Sequence, residues 1–155
     1  MSSVGMSNLR CQMHLSNDPM THALILSPGL LDELIAHARS CYPLEGCGLL
    51  AGRENHAARF IPMENRLASP TAYDIDAAQL IQIFRSLRES GERLVAIYHS
   101  HPSTPSDPSP RDIECAYYPE TAHLIVSLAN PGQPQVRAFR IGDGEAVEIE
   151  LHVIV

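Results

Sequence analysis

Apolar and polar positions follow one another along this chain in short segments of two kinds. Alternation with a period of two, or a compact apolar run bounded by turn residues, predicts a β-strand. Apolar positions three and four apart predict an amphipathic helix. Strands are predicted over residues 23–26, 46–52, 56–63, 93–99, 122–128, 135–141 and 146–154, and helices over 27–41, 76–90 and 109–118. The order βαββαβαβββ indicates an α+β fold, a mixed sheet with three helices packed on it.

Two of the helix starts carry the same local signal, a serine followed by a proline. Ser27-Pro28 and Ser109-Pro110 each offer a side-chain oxygen to the free amides of a first turn and a residue already restricted to helical φ. The first helix is expected to end near Cys41, and the second is expected to close at Gly91 as its C-terminal cap.

Composition and charge limit the classes of function. The 155 residues are 45% hydrophobic, which suits one domain with its own core. The net charge of −7 argues against nucleic-acid partners, which require clustered Lys and Arg. No apolar run approaches the roughly 18 residues of a membrane span, and the four cysteines form no CxxC pair. We therefore expect a cytoplasmic protein with reduced thiols, a disordered lead-in over residues 1–19, and a single domain over 20–155.

The densest candidate chemistry lies where the predicted strand 93–99 ends, in the run His99-Ser100-His101. Side chains two positions apart on a strand share a face, so both imidazoles point one way and the serine points the other way. Asp112, in the first turn of the helix after the proline-rich loop 102–108, is the nearest candidate for a third ligand. Two imidazoles and a carboxylate can hold a divalent ion and leave one position open, as catalytic zinc sites do.

Each piece of this pattern also has an ordinary structural interpretation. Ser109 and Asp112 have the Ser-x-x-Asp spacing of a capping box, in which both side chains satisfy free backbone amides. A His-x-His pair on a strand is more often structural than metal-binding, and Glu45, ahead of strand 46–52, would ordinarily be solvated. Capping and site roles are compatible for Ser109, and less so for Asp112, whose oxygens would be shared.

Taken together, these residues resemble the signature of the JAMM (JAB/MPN) metalloproteases, a distant Glu followed by His-x-His-Pro-x6-Ser-x-x-Asp. The signature is complete in this chain, at Glu45, His99, His101, Pro102, Ser109 and Asp112. Residues 42–52 also resemble the stretch around the catalytic glutamate of small bacterial members, similar to sulfur-carrier–cysteine peptidases. The resemblance runs from about residue 23 to the C-terminus and implies the MPN fold, which is similar to the cytidine-deaminase fold.

The resemblance implies a role for each of these side chains. His99, His101 and Asp112 would bind one zinc ion per chain. Glu45 would hold and deprotonate the metal-bound water, and Ser109 would hydrogen-bond near the developing oxyanion. General chemistry supports the last two roles, because amide hydrolysis needs a proton acceptor that later protonates the leaving amine, and a donor to the carbonyl oxygen. Iron or another divalent first-row ion would suit the same ligands.

Other candidate chemistry is weaker. Cys47 could be a thiol nucleophile with a histidine base, but a buried small residue between glycines is the favoured interpretation. Cys115 could face the metal side of its helix, although packing in the core is favoured. A zinc nucleobase deaminase would need His-x-Glu and Pro-Cys-x-x-Cys, which this chain lacks. The other histidines are expected at the surface or in satisfied core positions; they are His14, His22, His37, His56, His123 and His152.

The resemblance implies a hydrolase that cleaves a peptide or isopeptide bond at the C-terminal glycine of a ubiquitin-like or sulfur-carrier protein. It would release cysteine from a carrier adduct, or trim a carrier precursor to its terminal Gly-Gly. An extended glycine tail would lie along a strand edge beside the metal. Two alternatives stay open: an isopeptidase that removes ubiquitin-like modifiers from lysines, and a non-catalytic MPN scaffold, against which the complete ligand set argues.

Overall fold

Seven strands and three helices make up residues 23–154, the part of the chain that the computed structural model describes. The strands are β1 (Ala23–Leu26), β2 (Cys47–Arg53), β3 (His56–Met63), β4 (Arg93–His101), β5 (Ala122–Ser127), β6 (Gln135–Gly142) and β7 (Glu145–Val153). The helices are α1 (Leu30–Cys41), α2 (Ala77–Ser90) and α3 (Pro110–Glu114). The three helices and the mixed sheet are confirmed. The predicted lead-in over residues 1–19 lies outside the described residues.

The sheet closes on itself, which the sequence did not predict. Its strand order is β1-β3-β2-β4-β5-β6-β7, and β1 pairs in parallel with both β3 and β7 to complete a barrel. The pair β4–β5 is also parallel, and the remaining neighbours are antiparallel. Closure leaves no free edge among the described strands. The likeness to the cytidine-deaminase fold stays a prediction.

The first helix starts later than the sequence predicts. Gly29 takes a left-handed φ of 79° and is the N-terminal flanking residue of α1, so the helix begins at Leu30 and has no side-chain cap. The Ser27 hydroxyl instead lies 2.9 Å from His56 Nε2 on β3. The prediction that Ser27-Pro28 opens the helix is therefore wrong, because a long-range partner competes for the serine oxygen and the glycine breaks the helical path.

The predictions for the other helix ends are partly confirmed and partly wrong. Gly91 closes α2 with φ 73°, as predicted. Ser109 caps α3 as predicted, but α3 ends at Glu114 rather than near residue 118. The apolar face of α2 is only partly buried, because Leu87 is buried whereas Ile81 is 59% exposed. None of the described helices is both long and apolar enough to cross a membrane.

The apolar core lies mainly on the α1 side of the barrel. Leucines of β1 and α1 pack there with residues of β2, β4 and β5, among them the fully buried Tyr98. A smaller cluster of Ile125, Phe139 and Ile141 lies on the other side, against Ile113 and Ala116 at α3. Because of this second cluster, α3 rests on the sheet beside the end of β4, where the two histidines are.

Candidate metal centre

The end of β4 carries His99 and His101, which are 0% and 3% exposed. Their Nε2 atoms lie 3.1 Å apart, as expected for alternate residues on one face of a strand. The neighbouring strands β2 and β5 hold this end of β4 in register, with His99 opposite Cys47 and Ile125. The two imidazoles are thus presented by the most buried part of the sheet rather than by a loop.

Helix α3 brings Asp112 to the same point. Its Oδ2 lies 3.2 Å from His99 Nε2 and 3.1 Å from His101 Nε2. The same Oδ2 accepts the Ser109 backbone N–H at 2.8 Å, while the Asp112 N–H donates to Ser109 Oγ at 3.1 Å. The capping box and the candidate ligand set therefore share one oxygen, and the cap itself aims Asp112 at the histidines.

The donor atoms suit a cation. His101 Nδ1 lies 2.7 Å from the Pro105 carbonyl oxygen, which can only accept, so Nδ1 carries the proton and donates it. In the neutral ring, Nε2 then presents a lone pair to the Asp112 carboxylate and to His99 Nε2. Such a group is stable only with positive charge at its centre, either a proton or a metal ion. The ligand atoms of these three residues lie within 4.8 Å of one another, which one ion can span.

The pKa shifts of the three residues also indicate a site that favours a positive charge between them. Burial alone would raise the pKa of Asp112, but hydrogen bonds from His101, His99 and the Ser109 amide outweigh it and lower the pKa well below its usual range. Burial alone would lower the pKa of His101, whereas bonds to Asp112 and Pro105 raise it. Complete burial lowers the pKa of His99. The carboxylate thus stays ionised and one ring of the pair stays neutral.

Glu45 lies immediately before β2, at the edge of this group. The Gly46 N–H donates to Ser100 Oγ at 2.7 Å, and the Ser100 N–H donates to the Gly46 carbonyl at 2.9 Å. Continuing this antiparallel register by one residue puts Glu45 opposite His101, on the same face of the sheet. The ordinary alternative, a solvated Glu45, does not hold, since the residue is 3% exposed.

The carboxyl group of Glu45 has the properties expected of a general acid–base group. Its Oε1 is buried and has no hydrogen-bond partner in the described residues. Burial raises its pKa to about 7, with Asp112 adding to the rise and His101 and Arg111 opposing it. A carboxyl with a pKa near neutrality, beside three convergent ligand atoms, is the pattern of an acid–base group rather than of a structural residue.

Residues that the sequence did not single out fix the position of Glu45 and His99. Asn65 donates from Nδ2 to the carbonyls of Glu45 and Ala72, at 3.1 and 3.0 Å, and so ties the loop after β3 to the site. Tyr73, in the same loop, stacks on the His99 ring with centroids 4.6 Å apart. An Asn just after a strand is a turn signal, but nothing in the sequence indicates either long-range partner.

Three other predictions are settled by burial and contacts. Cys47 is fully buried, bonds the Met63 carbonyl through Sγ, and burial raises its pKa to about 12, so it is a neutral packed thiol as favoured. The prediction that Cys115 packs in the core is wrong, because it lies exposed at the end of α3. His123 is buried, yet its Nε2 has no hydrogen-bond partner in the described residues, which contradicts a satisfied core position.

Comparison with known proteins identifies the family to which the chain belongs. The family model described as prokaryotic homologs of the JAB domain matches residues 27–142. The CysO-cysteine peptidase of Mycobacterium tuberculosis is 36% identical over 135 residues, which cover 86% of this chain and 92% of the relative. The probable TtuB-protein conjugate cleaving protease of Thermus thermophilus is 41% identical over 131 residues, covering 83% and 84%.

The fold has a close counterpart among solved structures. A protein of Desulfitobacterium hafniense, known from a solution structure, superposes with a TM-score of 0.76 at 32% identity, over 84% of this chain and 92% of that one. The matched family residues include the end of β4, the Glu45 segment and all of α3. The chain therefore belongs to the family of prokaryotic homologs of the JAB domain, and it is a hydrolase of the peptidase type found in that family.

Proposed function

We propose that this chain is a zinc-dependent peptidase that cleaves the bond after the C-terminal glycine of a ubiquitin-like or sulfur-carrier protein. His99, His101 and Asp112 hold one zinc ion, Glu45 is the general base and acid, and Ser109 is a hydrogen-bond donor to the reacting carbonyl. The observation that carries the proposal is the buried Glu45 carboxyl, unpaired and close to neutral pKa, opposite His101.

The ligands suit the chemistry that zinc supplies. When bound, zinc polarises a carbonyl and lowers the pKa of a water from about 15.7 to about 7. The chain's own contribution is to fix the three ligands. The Pro105 carbonyl sets the tautomer of His101, and the Ser109 amide holds Asp112 Oδ2. Such supporting contacts orient ligands and tune them.

Glu45 moves the proton that hydrolysis requires. In the ionised form it accepts a proton from the attacking water, and it then gives that proton to the leaving amine as the C–N bond breaks. The carrier keeps a carboxylate, and the released residue leaves as an amine. A pKa near 7 suits both steps, because neither protonation state is strongly favoured at neutral pH. Without another buried partner, Oε1 is free to turn toward the water.

Ser109 can donate to the developing negative charge on the carbonyl oxygen. Its Oγ accepts the Asp112 amide at 3.1 Å, which fixes the oxygen but leaves the hydroxyl proton free to donate. A donor held in this way stabilises charge without rearranging during the reaction. Capping and catalysis are therefore compatible for this serine.

The substrate class follows from the relatives. One is named for a CysO-cysteine substrate and the other for a TtuB-protein conjugate, so both names describe cleavage of a joined species. We infer that the substrate of this chain ends in Gly-Gly at the scissile bond. The reaction fits a cytoplasmic protein, since Cys41, Cys47 and Cys115 are all free thiols. We also propose that residues 20–155 act as one domain.

The test compares the wild type with Glu45→Gln, a near-isosteric change that removes the proton acceptor. Both proteins should bind about one zinc per chain, and only the wild type should release cysteine from a carrier–cysteine adduct, followed by mass spectrometry. We expect the variant to lose roughly 10²- to 10⁴-fold in rate, the usual effect of general acid–base catalysis. Equal activity of the two proteins would remove Glu45 from the mechanism, and zinc-loaded wild type that cleaves no adduct would support a scaffold.

A lysine-linked conjugate is the second candidate substrate, because the Thermus thermophilus relative is named as a conjugate-cleaving protease. The two activities share the carrier side of the bond and differ in the leaving amine. Incubating the wild type with equal amounts of a carrier–cysteine adduct and a carrier–lysine isopeptide, and comparing kcat/KM, separates them.

A further inference from the structure

A cavity of about 330 Å³ opens directly beside Asp112. Its walls come from α2, α3, the loop that contains Tyr73, and the sheet. The inner lining is largely apolar, with Leu49 and Ile97 from the sheet and Leu80 from α2. The volume lies at the small end of the range for small-molecule pockets, so it suits one amino acid rather than a peptide.

One residue of the cavity wall has a buried polar atom that no described residue satisfies. His123 lines the cavity and is 3% exposed, and its Nε2 has no hydrogen-bond partner in the described residues. Buried polar atoms in folded proteins are nearly always paired, so we expect an ordered water beside Nε2, behind the cavity wall, rather than a ligand in the cavity itself.

The cavity wall also contains one guanidinium group, that of Arg111. Arg111 lines it next to the candidate ligand Asp112 and forms no ion pair in the described residues. The other acidic residue of the wall, Asp74, is already 3.6 Å from Arg66. Arg111 is nevertheless near enough to the scissile region to act electrostatically on Glu45. A guanidinium in this setting is suited to bind a carboxylate.

We propose that the cavity receives the residue released by the reaction, a free α-amino acid with an apolar side chain, whose carboxylate pairs with Arg111. This rests on the proposed function and adds specificity for the leaving group. A carrier that ends in Gly-Gly has no side chain to fill an apolar cavity. Its own terminal carboxyl is consumed in the scissile amide, so it offers no carboxylate to Arg111 before cleavage. Only the leaving residue offers both groups.

The proposal separates two kinds of substrate. A single residue attached through its α-amine presents its carboxylate close to the broken bond, whereas a lysine in a protein chain presents none. The cavity is also larger than a cysteine side chain needs, so residues with longer apolar side chains should be released at least as well as cysteine. Asp or Glu at this position should be released poorly, because the lining is largely apolar and includes the Asp112 carboxylate.

The first experiment tests the carboxylate. A Gly-Gly-ending sulfur-carrier protein is extended by one residue, Cys or Met, as the free acid and as the carboxamide. Wild type should cleave the acid about tenfold faster in kcat/KM, the effect of one charge-assisted hydrogen bond. Arg111→Gln should lose this preference, so that its acid-to-carboxamide ratio of kcat/KM falls to about one whatever the change in its overall rate. Arg85→Gln, an exposed arginine outside the cavity, is the charge-matched control and should keep the preference.

The second experiment tests the cavity. Leu80→Trp should fill it and lower kcat/KM for the Met adduct about tenfold while sparing an Ala adduct, whereas the adjacent Ile81→Trp, outside the cavity, should affect neither. Equal cleavage of acid and carboxamide by wild type, or equal effects of the two tryptophans, would overturn the proposal while leaving the proposed function intact. Cleavage of no adduct by zinc-loaded wild type would overturn the proposed function itself.

Discussion

The two faces of β4 differ near its end in the hydrogen bonding of their polar side chains, although the residues compared, Tyr98, His99 and Ser100, are consecutive. On one face, Tyr98 and Ser100 are fully paired: the Tyr98 hydroxyl lies 3.1 Å from His37 Nδ1, and Ser100 Oγ accepts the Gly46 amide. On the other face, His99 Nδ1 has no partner in the described residues, and the same holds for Glu45 Oε1. Both faces are buried, so burial alone does not explain the difference.

The contrast shows which polar residues serve the fold and which serve a reaction. A buried polar atom without a partner costs roughly 1–3 kcal/mol, so a chain that leaves several at one point gives up stability there. We interpret the paired face as the frame that holds β2 and β4 in register. The unpaired face is then the proposed site, where an ion, a water and the substrate would be the partners.

The largest effect should come from the unpaired face, through the pH dependence of stability of the metal-free protein. Burial raises the Glu45 pKa from its ordinary 4.5 to about 7, so the folded state holds a proton that the unfolded state releases between these values. Stability therefore falls as pH rises through this window, by about 3 kcal/mol for this group. Glu45→Gln should remove that loss.

Urea unfolding of both proteins at pH 5 and pH 8, in the presence of a chelator, measures the difference. The variant should match wild type at pH 5 and exceed it at pH 8. Equal changes in the two proteins between pH 5 and pH 8 would mean that the Glu45 carboxyl is well solvated, and a wild type that gains stability relative to Glu45→Gln would mean that the carboxylate is paired.

A smaller effect is expected on the paired face from Ser100→Ala. The change leaves the buried Gly46 amide without its 2.7 Å acceptor, which should cost about 2 kcal/mol of unfolding free energy. Zinc content should not change, because the backbone pairing around Cys47 and His99 remains. Loss of zinc on this substitution would show that the two faces are not separate in function.

The smallest effect is expected from Tyr98→Phe, which removes one hydroxyl and keeps the ring packed against Phe60. Loss of the bond to His37 should cost about 1 kcal/mol. Both kcat and KM for a carrier–cysteine adduct should stay at the wild-type values, as measured in a steady-state assay. A large fall in kcat would mean that the face carrying Tyr98 also takes part in the reaction, and the distinction between the two faces would not hold.

Local patterns predicted the elements and much of the site geometry. His99 and His101 share a face because of strand periodicity, and the Ser-x-x-Asp spacing that caps α3 also aims Asp112. What failed depends on distant residues. Ser27 bonds His56 rather than capping α1, and barrel closure requires β1 to find β7 from the far end of the chain. Such partners leave no local trace in the sequence.

The limits of prediction are clearest for buried polar residues. The sequence pattern treated His123 like any other isolated histidine, because only the packed structure shows that Nε2 has no partner in the described chain. Likewise, the sequence identifies Asn65 only as a loop residue, and its bonds to the Glu45 and Ala72 carbonyls are apparent only in the folded structure. Whether a polar side chain is satisfied is a tertiary property, and this property distinguishes the two faces of β4.

The proposed metal centre can be examined by anomalous diffraction at the zinc absorption edge, on crystals of wild-type protein grown with one equivalent of zinc. We expect one peak per chain, bonded to His99 Nε2, His101 Nε2 and Asp112 at about 2.0–2.2 Å, with the Glu45 carboxyl close by but not bonded to the ion. A peak elsewhere, or an ion bound through Glu45 with Asp112 turned away, would contradict it.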